Sequence, residues 1–127
     1  MIKSQIYFEL LIVGFFLFIG CNELNSPDRY MMIPDKIQIE RVEYDENYNY
    51  YIYLSWGNYN SPNTGFKLTR DNEMIANLSK NEYSYIDTVQ NTRTYEYRLF
   101  AIKGTIFSVP SYIKIRINYN TYDWWYD

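Results

Sequence analysis

The chain has 127 residues, of which 47% are hydrophobic, 20% aromatic and 21% charged, and its formal net charge is −3. This length fits one domain, and the apolar fraction is too high for a wholly disordered chain. The lack of histidine excludes Ser-His and Cys-His nucleophiles, the single cysteine excludes an internal disulfide, and the acidic balance argues against a nucleic-acid partner.

The N-terminal segment, residues 1–20, has the layout of a secretory signal. A short cationic start is followed by the apolar run Leu10–Ile19, which ends at the small residue Gly20. The run is too short to span the ~30 Å hydrocarbon core, which takes about 20 apolar residues, and Glu9 interrupts any longer run. The sequence therefore predicts a cleaved leader, with a permanent membrane helix as the alternative.

The only cysteine, Cys21, follows directly after Phe18-Ile19-Gly20. This order resembles the lipobox of bacterial lipoproteins, in which a small residue precedes an invariant cysteine. The resemblance implies that Cys21 becomes the acylated N-terminus after cleavage and anchors the protein in a membrane of the bacterial cell envelope, on its periplasmic or surface face. An ordinary thiol behind a conventional signal is the alternative.

A tether is expected between the lipidated cysteine and the folded domain, over residues 21–33. This segment has no sustained hydrophobic period and contains Pro27. Fully extended, residues 22–33 would reach at most ~40 Å, so the tether would keep the domain close to the membrane.

From residue 34 to residue 118, short runs alternate between apolar and polar residues, the pattern of β-strands. One apolar face per strand requires a second sheet to cover it. The sequence therefore predicts an all-β fold, a seven-stranded antiparallel β-sandwich, with Asp71-Asn72 as a hairpin turn. The predicted strands cover residues 37–40, 50–56, 66–69, 74–78, 83–87, 95–101 and 113–117.

The order of motifs within residues 34–118 resembles that of fibronectin type III domains. The matching motifs are Pro34-x-x-Ile37, Leu54-Ser55-Trp56, Gly65-Phe66-Lys67-Leu68-Thr69-Arg70, Tyr85-Ile86-Asp87 and Thr94-Tyr95-Glu96-Tyr97-Arg98-Leu99-Phe100-Ala101. The resemblance implies an immunoglobulin-like sandwich in which Trp56 is the buried core indole. It also implies that Tyr95 is the tyrosine-corner residue, whose hydroxyl binds the preceding loop.

One loop has the opening pattern of a calcium site. Asp45, Asn47 and Asn49 match the D-x-N-x-N start of such a loop, but Tyr50 and Trp56 stand where glycine and the bidentate glutamate are needed. The pattern favours a polar turn between the first two strands.

The C-terminal tail, residues 119–127, contains five aromatic residues in nine. Exposed aromatic rings stack on sugars or anchor protein interfaces, which makes Tyr122, Trp124, Trp125 and Tyr126 the candidate ligand-binding residues. The alternative is structural, with the tryptophans folded over an open edge or end of the sandwich.

Taken together, the sequence predicts a membrane-anchored lipoprotein of the cell envelope that displays a non-catalytic binding or spacer module. No cofactor or metal is expected. The partner is an unknown protein or glycan. The alternative function is that of a carbohydrate-binding accessory lipoprotein, which would use the aromatic residues of the tail.

Overall fold

The structure, a computed structural model, describes residues 31–57, 59, 62–119 and 121–126. The regular secondary structure of these residues consists of nine β-strands. The predicted leader, Cys21 and most of the predicted tether lie outside these residues. The strands are β1 Gln38–Tyr44, β2 Tyr50–Ser55, β3 Gly65–Arg70, β4 Glu73–Ser79, β5 Ser84–Val89, β6 Thr94–Lys103, β7 Ile106–Phe107, β8 Ser111–Asn118 and β9 Thr121–Trp125.

The strands form two antiparallel sheets, and the described residues contain no helix. The smaller sheet has the order β1-β2-β5, and the larger has the order β4-β3-β6-β8-β9, with the short β7 paired to β6. The prediction of an all-β fold with antiparallel sheets is confirmed. Strands β7 and β9 come in addition to the seven predicted, because β7 is too short to show alternation and β9 has exposed side chains on both faces.

The core lies between the two sheets, as in a β-sandwich, and both sheets supply it with alternate residues. On the smaller sheet, Tyr50, Ile52 and Leu54 of β2 are buried while the residues between them are half-buried. On the larger sheet, the buried positions of β6 and β8 follow the same period. These are Tyr95, Tyr97, Leu99, Ala101, Ile113, Ile115 and Ile117.

The turn between β3 and β4 consists of Asp71 and Asn72, as predicted. Both residues have positive φ, 50° and 69°, in the left-handed region that two-residue hairpin turns require. Asp71 also joins β6, because its carboxylate Oδ1 accepts a hydrogen bond of 2.9 Å from the amide of Glu96. The turn therefore fixes the register of β3 against both of its neighbours.

Candidate functional site

The aromatic tail forms strand β9 at the end of the larger sheet. It pairs with β8 in a regular register in which Tyr122 lies opposite Ile117, Trp124 opposite Ile115, and Trp125 opposite Lys114. Directly opposed residues share a face of the sheet. Tyr122 and Trp124 therefore lie on the core side of the sheet, and Trp125 lies on its outer side.

Every side chain of β9 is exposed, on both faces of the strand. Tyr122, Trp124 and Trp125 remain 38%, 48% and 36% exposed. β9 is the last strand of the larger sheet, which has five strands along its main path while the facing sheet has three. The strand thus adds aromatic surface to the molecule rather than volume to its core.

Tyr126 behaves differently from the rest of the tail, because it is partly buried against the core. Its hydroxyl donates a hydrogen bond of 3.0 Å to the carbonyl oxygen of Ile37, just before β1. The Lys36 ammonium lies 3.4 Å from the centre of its ring, and the Trp124 indole meets it edge-on at 5.8 Å. Burial raises the pKa of the Tyr126 hydroxyl. Tyr126 therefore fastens the tail to the start of the smaller sheet.

A polar cleft of about 360 Å³ opens at the same end of the domain as Lys36. Its wall offers a carboxylate from Asp35, an amide from Gln38 and a hydroxyl from Ser55. The cleft also includes Lys36, the residue that covers the ring of Tyr126. The hydrogen-bonding groups of the cleft therefore lie next to the aromatic ring of Tyr126. Binding sites for ligands that have both polar groups and an apolar face combine such residues.

The residues predicted for the core occupy buried positions. Trp56 is buried, and its indole Nε1 donates a 3.2 Å hydrogen bond to the carbonyl oxygen of Glu82. Tyr95 is buried as well, and its hydroxyl donates a 2.6 Å hydrogen bond to the carbonyl oxygen of Asn91, four residues upstream. Burial is the main cause of the raised pKa of Tyr95.

A buried charged cluster, not anticipated from the sequence, connects the two sheets. Arg70 of β3 places Nη1 at 2.8 Å from both carboxylate oxygens of Asp87 on β5. Tyr97 of β6 donates a 2.6 Å hydrogen bond from its hydroxyl to Asp87 Oδ2. Burial, followed by the negative charge of Asp87, raises the pKa of Tyr97 far above its ordinary value. Arg70 and Tyr97 supply the hydrogen-bond donors that the buried Asp87 carboxylate needs. The cluster is therefore explained by the packing of the two sheets against each other.

The turn with the calcium-like pattern is held together by its own aspartate. Asp45 Oδ1 accepts hydrogen bonds from the amides of Asn47 and Asn49, and Oδ2 accepts from the Asn49 side chain and the Tyr51 hydroxyl. The bonds from Asn49 are the main cause of the lowered pKa of Asp45. Over the described ranges, no group of three or more acidic or cysteine side chains is arranged to hold a metal ion.

Two further observations bear on membrane attachment and ancestry. No helix within the described part of the chain is long and apolar enough to cross a membrane. Comparison with known proteins gives no assignment, since no protein family and no curated protein match the sequence. The functional conclusion therefore rests on the residues of the chain itself.

Proposed function

We propose that this protein is a non-catalytic lipoprotein of the bacterial cell envelope that displays a fibronectin type III-like domain as a binding module. The observation that carries the binding role is β9, a strand whose five side chains are all exposed although two of them are tryptophans. Burying indole rings is strongly favourable, so two exposed tryptophans on one terminal strand, one on each face of the sheet, indicate that this edge contacts a partner.

The order of the strands supports the fibronectin type III assignment. In constant-type immunoglobulin domains the fourth strand joins the sheet formed by the first, second and fifth strands. Here β4 pairs instead with β3, in the larger sheet. The hydrogen bond from Tyr95 to Asn91 has the geometry of a tyrosine corner, in which a tyrosine near the start of the sixth strand binds backbone a few residues upstream.

The short stretch of sequence between Cys21 and the domain supports its display next to a membrane. Met31 already packs against the core, only ten positions after Cys21 in the sequence. Ten residues span at most about 35 Å when fully extended. An acylated Cys21 would thus hold the domain within one domain diameter of the lipid surface, where a diffusible or surface-bound partner could reach β9.

Lipid attachment is tested by replacing Cys21. In cells fed an alkyne-labelled fatty acid, we expect the wild-type chain to carry the label and to sediment with membranes, because acylated cysteines anchor firmly. Cys21→Ala is expected to abolish the label and to release the chain from the membrane fraction. The neighbouring change Asn22→Ala serves as the control and should leave both readouts intact. Labelling that survives in Cys21→Ala would contradict the proposal.

A second candidate function is carbohydrate binding at the same strand. It is favoured by Tyr122, Trp124 and Trp125, which are exposed aromatic rings, and by the nearby cleft with its carboxylate, amide and hydroxyl groups. Aromatic faces stack on sugar rings, while polar groups bind the hydroxyls. The leading proposal and this candidate differ in the ligand rather than in the surface.

Carbohydrate binding is tested by titrating the protein with bacterial and plant polysaccharides in a calorimeter, a measurement that does not depend on the tryptophans that the variant removes. If a glycan is the ligand, the combined changes Trp124→Ala and Trp125→Ala are expected to remove binding, a loss of at least about tenfold, because stacking energy is concentrated in a few aromatic residues. Circular dichroism should stay unchanged, since both rings are exposed. The matched control, Phe107→Ala, removes an exposed ring from β7 and should bind as the wild type does.

A further inference from the structure

The outer edge of β9 has few of the features by which terminal strands usually avoid pairing. β9 ends the order of the larger sheet, and every second residue of a terminal strand directs its backbone N–H and C=O away from the sheet. Its register against β8 is regular from Asn118 opposite Thr121 to Lys114 opposite Trp125. Asp123 is the only charged residue of the strand, and it lies opposite Arg116.

The other terminal strands are protected in recognised ways. β1 has a register shift between Ile39 and Arg41 and carries further charge at Glu43. The pairing of β4 with β3 also has a register shift, between Leu68 and Thr69. β5 carries Asp87, a charge that points into the core and pairs with Arg70. Bulges, edge charges and inward charges all discourage strand addition. β7 also has an open edge, but a strand of only two residues offers little backbone to pair with. Among the strands that the structure describes, β9 is therefore the terminal strand most open to pairing.

We propose that β9 pairs in antiparallel fashion with β9 of a second copy of this chain, about a two-fold axis at Trp124. The two larger sheets would then join into one continuous sheet. This register puts Tyr122 opposite Tyr126 of the second copy and Asp123 opposite Trp125 of the second copy. Cross-strand aromatic pairs stabilise sheets, whereas an axis at Asp123 would oppose two carboxylates.

Charge and exposure both favour an identical strand as the occupant. Asp123 lies opposite Arg116 of its own sheet, and in the proposed register it lies opposite Trp125 of the second copy, so the pairing opposes no two carboxylates. The pairing would also cover Tyr122 and Trp124, which are exposed in the single chain. A two-fold contact of this kind closes on itself and does not propagate into a fibre.

The contact would involve one five-residue strand from each copy, so we expect it to bury less than the roughly 1,200 Å² of stable interfaces and to be weak in dilute solution. The proposed dimer rests on the proposed function in one respect. Anchoring in a membrane would raise the local concentration of the copies enough for a weak contact to form. The test is therefore made with the full chain in membranes of the producing cells.

Cysteine cross-linking reads out the register directly. Trp124→Cys places two thiols opposite each other at the axis, within the range that a disulfide requires. In Thr121→Cys, the thiols of the two copies would be offset by six residues, or about 20 Å. Thr121 is a matched control because it lies on the same strand and is exposed. Under mild oxidation we expect at least about tenfold more covalent dimer from Trp124→Cys than from Thr121→Cys. Ile86→Cys, on the exposed side of β5, should also remain monomeric.

The controls separate pairing from chance collision and from loss of fold. Adding Tyr122→Lys to Trp124→Cys should suppress the dimer, because an edge lysine opposes strand addition. The double change Asp123→Cys with Trp125→Cys joins opposed positions of the same register and replaces Trp124→Cys if that variant loses protease resistance. Dimer formation equal to that of Thr121→Cys, or none in either register-matched variant, would overturn the proposal. Fatty-acid labelling of the same membranes tests separately whether the chain is lipid-anchored. Oxidation of the wild-type chain shows how much covalent dimer forms through Cys21 alone.

Discussion

Replacing Asp87 with alanine is expected to destabilise the domain by about 3 kcal/mol, since removing one partner of a buried ion pair leaves the other charge uncompensated. Asp87 accepts hydrogen bonds from both Arg70 and Tyr97, and each would be left without its acceptor in the variant. Arg70 is partly reachable by water, with 28% of its side chain exposed, and this keeps the expected cost at the lower end of the range for such pairs. Equilibrium unfolding in urea measures the change.

Two further variants decide whether the loss comes from the unpaired charge. The combination Arg70→Met, Asp87→Leu and Tyr97→Phe is expected to recover most of the stability, because it removes both charges together with the buried hydroxyl that would otherwise lack an acceptor. Glu43→Ala breaks the exposed pair with Arg41 and should alter the free energy of unfolding little. If this triple replacement is as unstable as Asp87→Ala, the cost comes from altered packing and the ion-pair explanation is wrong.

Phe66→Ala is expected to cost about 3–5 kcal/mol, the usual range for removing a fully buried phenylalanine. Phe66 is completely buried, and its ring meets three others edge-on, with centroid distances of 6.0 Å to Trp56, 5.8 Å to Tyr59 and 6.4 Å to Tyr83. Its loss would leave a cavity in the middle of this aromatic group. Urea unfolding gives the magnitude, and the fluorescence emission of Trp56 should move to longer wavelength as water gains access.

The control for Phe66→Ala is Phe107→Ala, which removes an exposed ring that touches Phe100 edge-on. Its effect should stay within about 0.5 kcal/mol, as for most surface substitutions. Phe66→Leu should fall between the two, since it retains part of the volume. A loss below about 1 kcal/mol in Phe66→Ala would show that the neighbouring rings collapse into the space.

The alternation of apolar and polar residues was sufficient to predict the strands that have one solvent-exposed face and one buried face. Ile52 and Leu54 on β2, and Ile113 and Ile115 on β8, are buried at the positions the pattern indicated. β9 escaped the same method because Thr121–Trp125 is exposed on both faces and therefore has no apolar period. A strand that follows its neighbour closely can pair with it through backbone groups alone, which leaves no trace in residue type.

The buried cluster was beyond prediction for a different reason. Arg70, Asp87 and Tyr97 stand on three strands of two sheets, and their meeting depends on how the sheets face each other. The one local signal is Asp87, which occupies a core position of β5 in phase with Val89. A charge at a core position requires a partner. Sequence spacing could not identify Arg70 as that partner, since opposing sheets carry no fixed offset in sequence.

The hydrogen bond between Tyr126 and Ile37 joins positions 89 residues apart. The segment that precedes β1 is thus held by a segment that lies far behind it in the sequence. Contacts of such long range make folding slow, because the two segments must find each other before the contact forms. A chain shortened before Tyr126 would lack this link between the tail and the start of the smaller sheet.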